Sequence, residues 1–252
     1  RDAEVVATGG FVGNYKTTIL TGRSSSNGDR KEVAIEHGAV VVATGGQEYR
    51  GPEYALGRDP RVVTQQQLEG MLARGELADV RSVVMIQCVG PWDAQFATPR
   101  PTPRGLACAG AESGDISAIV PGSPTAFYCS RTCCGTAVKH AIALKERDPK
   151  TQVTVLYKDI RTYGFKEEYY TQAREKGVLF LRYDRDHLPQ VELKEGGQVE
   201  VTLLEPLLKR DITIPADLLV LSMATVPNED NEHLAKMLKV PLTGDGFFLE
   251  AH

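Results

Sequence analysis

Short β-branched runs broken by turn residues open the chain: EVVAT from Glu4, YKTTIL from Tyr15 and KEVAIEHG from Lys31, with a Ser/Asn/Gly-rich tip at Ser24 to Gly28. This spacing predicts a β-meander. The next run, AVVVATGG (Ala39 to Gly46), is continuously apolar from Val40 to Ala43, as a strand covered on both faces is. It ends in Thr44, Gly45 and Gly46, residues that let the backbone come close to another group. From Val63 to Ala73 the apolar spacing turns helical, with Thr64 placed as N-cap and Gly75 as stop.

Farther on, SVVMIQ (Ser82 to Gln87) reads as a buried strand running into Cys88, Val89 and Gly90. Pro91 to Pro124 is Pro/Gly/Ala-rich and weakly patterned, long for a loop without structure of its own in a compact domain, which points to a functional insertion or local disorder. In GTAVKHAIALKERDPK the residues Ala137, Val138, Ala141, Ile142 and Leu144 share one broad helical face, and the helix must end by Asp148, ahead of Pro149. A strand (QVTVLYKDI), a helix (FKEEYYTQAREKG) and a strand (VLFLRYD) complete a βαβαβ series, hence a parallel sheet. A hairpin around Glu195 to Gln198, a strand near Thr202 and a buried run from Asp217 to Ala224 follow.

The fold class is therefore α/β, a nucleotide-binding (Rossmann-like) parallel sheet accompanied by a meander. Its phosphate-binding fingerprint is missing. The first strand of such a domain runs into G-x-G-x-x-G, but here it runs into Gln87, Cys88, Val89 and Gly90, and Cys129, Cys133 and Cys134 introduce the helix. Unpaired N–H groups and the positive dipole end at a helix mouth favour phosphates, thiolates or an anionic metal cluster alike.

Composition narrows the chemistry. The 252 residues carry a net charge of −4, and no basic stripe is interleaved with aromatics, so nucleic acid is not an expected partner. No apolar run is long enough to span a bilayer, and no signal peptide opens the chain, so a cytoplasmic location is expected, where thiols stay reduced and bind metals or do chemistry. The chain starts at Arg1 and stops in GDGFFLEAH, which reads as a piece of a longer polypeptide. Five cysteines are too few, in a chain this long, for a disulfide scaffold. Three of them fall within YCSRTCC, Tyr128 to Cys134, an arrangement suited to metal or redox work and unlike the paired C-x2–4-C knuckles of zinc sites.

QCVG (Gln87 to Gly90), YCSRTCC with Ala137, Lys139 and Ala141 behind it, YKDIRTYG (Tyr157 to Gly164), GFVGNY (Gly10 to Tyr15), AVVVATGG and the closing GDGFFLEAH together resemble the flavin-containing A subunit of heterodisulfide reductases. That family is built like a thioredoxin reductase, an FAD domain interrupted by a nicotinamide-type domain. The resemblance implies residues 1–80 as part of the FAD-binding domain, 81–222 as the nicotinamide-type domain carrying the cysteines, and 223–252 as the return to the FAD-binding domain. It also implies a [4Fe–4S] cluster on Cys88, Cys129, Cys133 and Cys134, with FAD in the full-length protein passing close to Ala43, Thr44, Gly45 and Gly46. Lys139, five residues past Cys134, is placed to reach the N5 edge of a flavin, where a cation stabilises the reduced ring.

The expected function is thus that of an oxidoreductase passing electrons between FAD and the cluster within a flavin-based electron-bifurcating complex. Its partners would be B- and C-like subunits and an electron-donating hydrogenase or dehydrogenase. Two departures stand out: the glycine-rich FAD fingerprint is absent, and Pro91 to Tyr128, with an extra Cys108, separate Cys88 from the other three cysteines. Cys88, at the carboxyl end of a strand, lies at the sheet edge where the following helix begins, whereas Cys108 sits in a flexible segment costly to order, so Cys88 is expected as the fourth ligand.

Two other readings use the same residues. One is a pyridine-nucleotide-dependent flavin disulfide oxidoreductase, which the missing G-x-G-x-x-G and C-x-x-C disfavour. The other is a zinc-stabilised, non-catalytic assembly domain, with His140 a conceivable fourth donor. Otherwise His37, His140, His187, His233 and His252 show no ligand spacing and are read as solvated or structural.

Overall fold

The computed structural model describes residues 3–22, 30–90 and 128–250. They divide into two units, one drawn from Arg1–Gln47 and Pro227–His252, the other from the residues between Glu48 and Val226.

The first unit opens with the expected meander. β1 (Ala3–Phe11) and β2 (Asn14–Thr21) pair antiparallel, and β3 (Lys31–His37) pairs with the other edge of β2. Gly10, at φ +99°, is required at the hairpin, because a Cβ there would collide with the carbonyl oxygen of Asn14. Thr8 and Thr17 share a hydroxyl hydrogen bond of 3.0 Å, and Thr17 reaches His37 Nε2 at 2.8 Å. His37 stacks on Tyr15 with ring centroids 5.7 Å apart, so this histidine is structural.

The run after β3 departs from expectation. Ala39 to Gly46 form no strand, and Val41 is 88% exposed. An apolar run becomes a strand only where a neighbour supplies the hydrogen-bond ladder, and among the described residues none pairs with it. The two-residue strand β4 (Gln47–Glu48) follows. At the far end of the chain α4 (Asn231–Leu238) completes this unit, ending where Lys239 turns left-handed at φ +56°.

The second unit is built on a five-stranded, all-parallel sheet. It comprises β5 (Val62–Thr64), β6 (Ser82–Val89), β7 (Gln152–Tyr157), β8 (Leu179–Arg182) and β12 (Leu218–Met223), in the order β5-β12-β6-β7-β8. Strand parity sorts the side chains. Val83, Met85, Val153, Val155, Leu218 and Val220 pack under α1 (Gln65–Arg74), α2 (Cys133–Arg147) and α3 (Lys166–Glu175), through Leu68, Ala137, Val138, Ala141, Leu144 and Ala173. Val84, Ile86, Leu156, Leu219 and Leu221 face the opposite way, against Val199, Val201, Leu203 and Ala216. Those four belong to an antiparallel sheet of β9 (Gln190–Leu193), β10 (Val199–Glu205) and β11 (Arg210–Ala216). Cover on both faces explains why Val83 to Ile86 and Leu218 to Leu221 read as unbroken apolar runs. β13 (Thr225–Val226) ends the unit.

The helix expected from Val63 is α1, carrying a full capping box. Gln67 N–H donates to Thr64 Oγ1, Thr64 N–H donates to Gln67 Oε1, and Gly75 closes the helix at φ +70°. The contact boundary between the units falls at Gln47/Glu48, because β5 pairs with β12 and α1 packs on α2. Among the described residues no helix is long and apolar enough to cross a membrane.

Candidate metal centre

β6 carries a β-bulge at its carboxyl end. Ile86 pairs with Leu221 and Val89 with Met223, so three steps along β6 match two along β12. The extra residue is Cys88, whose backbone is left-handed at φ +61°. Parity confirms the slip: Val84, Ile86 and Val89 all face the same core. A bulge re-aims a side chain at a strand end, and this one turns the Cys88 thiol into a cavity instead of a sheet face.

The YCSRTCC segment is tied down from both sides of its first cysteine. Tyr128 Oη donates to the carbonyl of Thr225 at 2.6 Å, and Thr225 N–H donates to Ser130 Oγ at 2.9 Å. Thr225 follows Ala224, whose N–H bonds the carbonyl of Val89, so Cys129 and Cys88 are referred to the same strand end. Arg131, also left-handed at φ +60°, turns its N–H onto Cys129 Sγ at 3.4 Å. Cys133 and Cys134 are the first two residues of α2, after Thr132, whose side chain makes no cap hydrogen bond.

All four cysteines line one cavity of about 500 Å³. Cys134 is buried, and the other three are half-buried. Neighbouring Cys133 and Cys134 ionise unequally. The Cys134 pKa is lowered to about 7, first by the hydrogen bond from Cys133 and then by the backbone N–H and guanidinium of Arg161, against the opposing effect of burial. Cys133 is raised by the same bond, by burial and by the sulfurs of Cys134, Cys88 and Cys129.

The rest of the wall is cationic and aromatic. Lys158 and Arg161 follow β7, Arg182 ends β8, and Tyr183 and Arg185 come just after it; Asp159 and Asp184 are the acids. Tyr183, 2% exposed, donates to the carbonyl of Gln87 at 2.6 Å, and Lys158 Nζ sits 5.7 Å from its ring centroid. In the sequence YKDIRTYG stood out only as a point of resemblance, and no role fell to Lys158, Tyr183, Arg182 or Arg185. The available signal was that KDIR and RYDR each stand at the carboxyl end of a parallel strand, the edge where such folds bind ligands.

The other candidates lie elsewhere. Lys139 projects from α2 into a groove it shares with Thr136, Lys166 and Tyr169, and pairs with Glu69 Oε1 at 2.7 Å. His140 is buried, with Nδ1 on Gln65 Oε1 at 2.6 Å, and so is a structural histidine. Ala43 to Gly46 lie in the first unit, where the carbonyl of Thr44 accepts from Asn228 Nδ2 at 2.9 Å and Gly45 is left-handed at φ +63°. Cys108 and the segment around it lie outside the described residues.

The donor set suits an iron–sulfur cluster. Four thiols from a strand end, a clamped loop and a helix mouth are the ligands that a cubane takes. Among the described residues no three His, Cys, Asp or Glu side chains converge closely enough for a single metal ion. A cluster of four irons spreads its thiolates wider than one ion does.

No protein-family model matches the chain. In sequence it is 32% identical over 260 residues to the A subunit of the ferredoxin:CoB-CoM heterodisulfide reductase of Methanosarcina acetivorans, covering 87% of this chain and 29% of that protein. It is 33% identical over 238 residues to the iron-sulfur A subunit of the CoB–CoM heterodisulfide reductase of Methanocaldococcus jannaschii, with 88% and 32% covered. Against the A subunit of the H2:CoB-CoM heterodisulfide,ferredoxin reductase of Methanothermobacter thermautotrophicus it is 33% identical over 233 residues, with 88% and 31% covered. Among solved structures, the thioredoxin reductase of T. acidophilum overlays with a TM-score of 0.46 at 13% identity, covering 98% of this chain and 59% of that one. The chain spans about a third of the length of these curated relatives. Over the segment they share, the chain belongs to the family of heterodisulfide reductase A subunits.

Proposed function

We propose that this chain is the cluster-bearing part of a heterodisulfide reductase A-like flavoprotein, an oxidoreductase in which electrons pass between FAD and a [4Fe–4S] cluster held by Cys88, Cys129, Cys133 and Cys134. One observation carries the reading: the bulge at Cys88, the Thr225 clamp on Tyr128 and Ser130, and the first turn of α2 bring these four thiols to one cavity. When bound, the cluster supplies one-electron storage and transfer. The protein holds the four sulfurs in a fixed array, directs the Arg131 N–H at Cys129, and surrounds the set with cations. Buried Cys134 and the hydrophobic floor under the sheet edge limit the access of water.

In the whole protein, Ala43, Thr44, Gly45 and Gly46 lie close to the flavin, and Lys139 supplies a cation to it. The electrons come from a hydrogenase or dehydrogenase partner and go on to B- and C-like subunits, in a flavin-based bifurcating assembly. The relatives' names support the reading, since one carries iron-sulfur in its name and others pair heterodisulfide with ferredoxin or H2. The test is iron and acid-labile sulfide analysis of anaerobically purified protein. Four irons and four sulfides per chain are expected from a cubane; zinc without labile sulfide overturns the assignment.

A further inference from the structure

Four thiolates around an iron–sulfur core make a net anion, and each electron added makes it more negative. The charges around the sulfurs therefore help set how readily the site is reduced. Among the described residues four cations line the cavity, Lys158, Arg161, Arg182 and Arg185, against two carboxylates, Asp159 and Asp184. They are not equivalent. Arg161, Arg182 and Arg185 are exposed, and Arg161 is spent on Asp159 at 3.2 Å, although it faces Cys129 and Cys134. Exposed charges act through water and are screened by salt. Lys158 is 9% exposed, packed against the face of Tyr183 just past the end of β7. A charge held in that environment acts through a much lower effective dielectric.

Resting on the cluster reading above, we propose that Lys158 sets the reduction potential of the four-cysteine site, raising it by holding a positive charge inside the cavity that the sulfurs line. Tyr183 fixes where that charge stands, because its hydroxyl is anchored on Gln87 and its ring carries the lysine. The arrangement favours the reduced, more negative state over the oxidised one. It does so without touching the ligand set, so cluster content and potential separate.

The experiment is an EPR-monitored potentiometric titration of the full chain with dithionite as reductant, after iron and sulfide have been counted. Lys158→Met keeps its iron, and its midpoint falls until the reduced-to-oxidised ratio at the wild-type midpoint is about tenfold lower, a shift of about 59 mV for one electron. Lys158→Arg restores most of the ratio. Arg182→Gln, on the exposed rim, moves it no more than about twofold, as screening dictates. A Lys158→Met cluster with an unmoved midpoint, or a Lys158→Arg midpoint as low as that of Met, overturns the proposal. If Lys158→Met cannot hold iron, the wild type still decides. Raising the salt from about 0.1 to about 1 M shortens the screening length from ~10 to ~3 Å. A buried lysine predicts a ratio steady to about twofold, and a tenfold fall assigns the effect to the rim arginines instead. Wild-type protein without iron defeats the cluster reading, which is a different failure from iron whose potential ignores Lys158.

Discussion

The phenol of Tyr183 donates a 2.6 Å hydrogen bond to the backbone carbonyl of Gln87. Through that bond the residue after β8 holds the residue before the β6 bulge, although 96 positions separate them in sequence. The register slip at Cys88 is thereby fixed from outside its own strand pair.

Removing the hydroxyl tests this link. Tyr183→Phe deprives a buried carbonyl of a partner and is expected to cost about 1–2 kcal/mol in urea unfolding. It also frees the bulge, so iron loss to a chelator speeds up severalfold. Tyr163→Phe, at a position 71% exposed, is the control and stays within about 0.5 kcal/mol. Equal chelation rates for the two variants would show that Tyr183 does not pin Cys88.

Asp217 is the corresponding fastener at the amino ends of the strands. Its Oδ2 accepts from the N–H groups of Arg81 and Ser82, both at 2.8 Å, and its Oδ1 accepts from Gln198 Nε2 at 2.8 Å. Burial pushes its pKa up, but these donors outweigh burial and hold it below the ordinary value of 3.8. A depressed carboxylate stabilises the fold above its unfolded pKa and loses that contribution as pH falls below it. Asp217→Ala is expected to cost about 1–3 kcal/mol at neutral pH. The difference from wild type narrows as pH falls through the carboxylate range; a gap that stays constant down to acid would rule out the charge as its source.

His140 gives a pH dependence at higher pH. Gln65 Nε2 donates to Ser222 Oγ at 3.1 Å, leaving Gln65 Oε1 to accept from His140 Nδ1–H, which places the proton of the neutral ring on Nδ1. Burial first, and the neighbouring Lys139 second, lower its pKa from 6.5 to about 4, against the pull of Glu69. The unfolded chain therefore binds this proton first. Stability from His140 is complete above the unfolded pKa and drains away as pH falls towards the folded one. Urea midpoints compared at pH 7 and 5 are expected to show a loss of about 1–2 kcal/mol in wild type. His140→Gln, without a titrating ring, shows a smaller loss; an equal slope in both proteins would assign it to other groups.

What was legible in the sequence follows from cover and spacing. Ser82 to Ile86 announced a strand because both its faces are buried, and Thr64 with Gln67 announced the start of α1 because a capping box is local chemistry. Val40 to Ala43 misled for the converse reason: an apolar run shows what a segment could bury, and not whether another strand lies beside it. The cationic wall escaped notice because Lys158, Arg182 and Arg185 come from two strand ends and meet only through the sheet order β6-β7-β8. Cys88 was expected at the helix mouth from topology, but its left-handed backbone was not visible, since a bulge is a relation between two strands.

That backbone supplies the last prediction. A side chain bearing a Cβ costs about 1–2 kcal/mol in the left-handed region, where glycine costs nothing, so a cysteine held there gives up stability. Such strain persists where the side chain serves a function, and here the function proposed is the fourth thiolate. Cys88→Gly is therefore expected to make the metal-free protein no less stable, and up to about 1 kcal/mol more so, while its iron content drops. Cys88→Ser keeps the strain and also loses iron, which separates the ligand from the turn. Cys108→Ser, at the cysteine outside the proposed ligand set, retains iron. Parallel iron counts and melting curves on the three variants settle the assignment. Full iron in Cys88→Gly together with its loss in Cys108→Ser would move the fourth ligand out of β6, and the bulge would then need another reason to carry a cysteine.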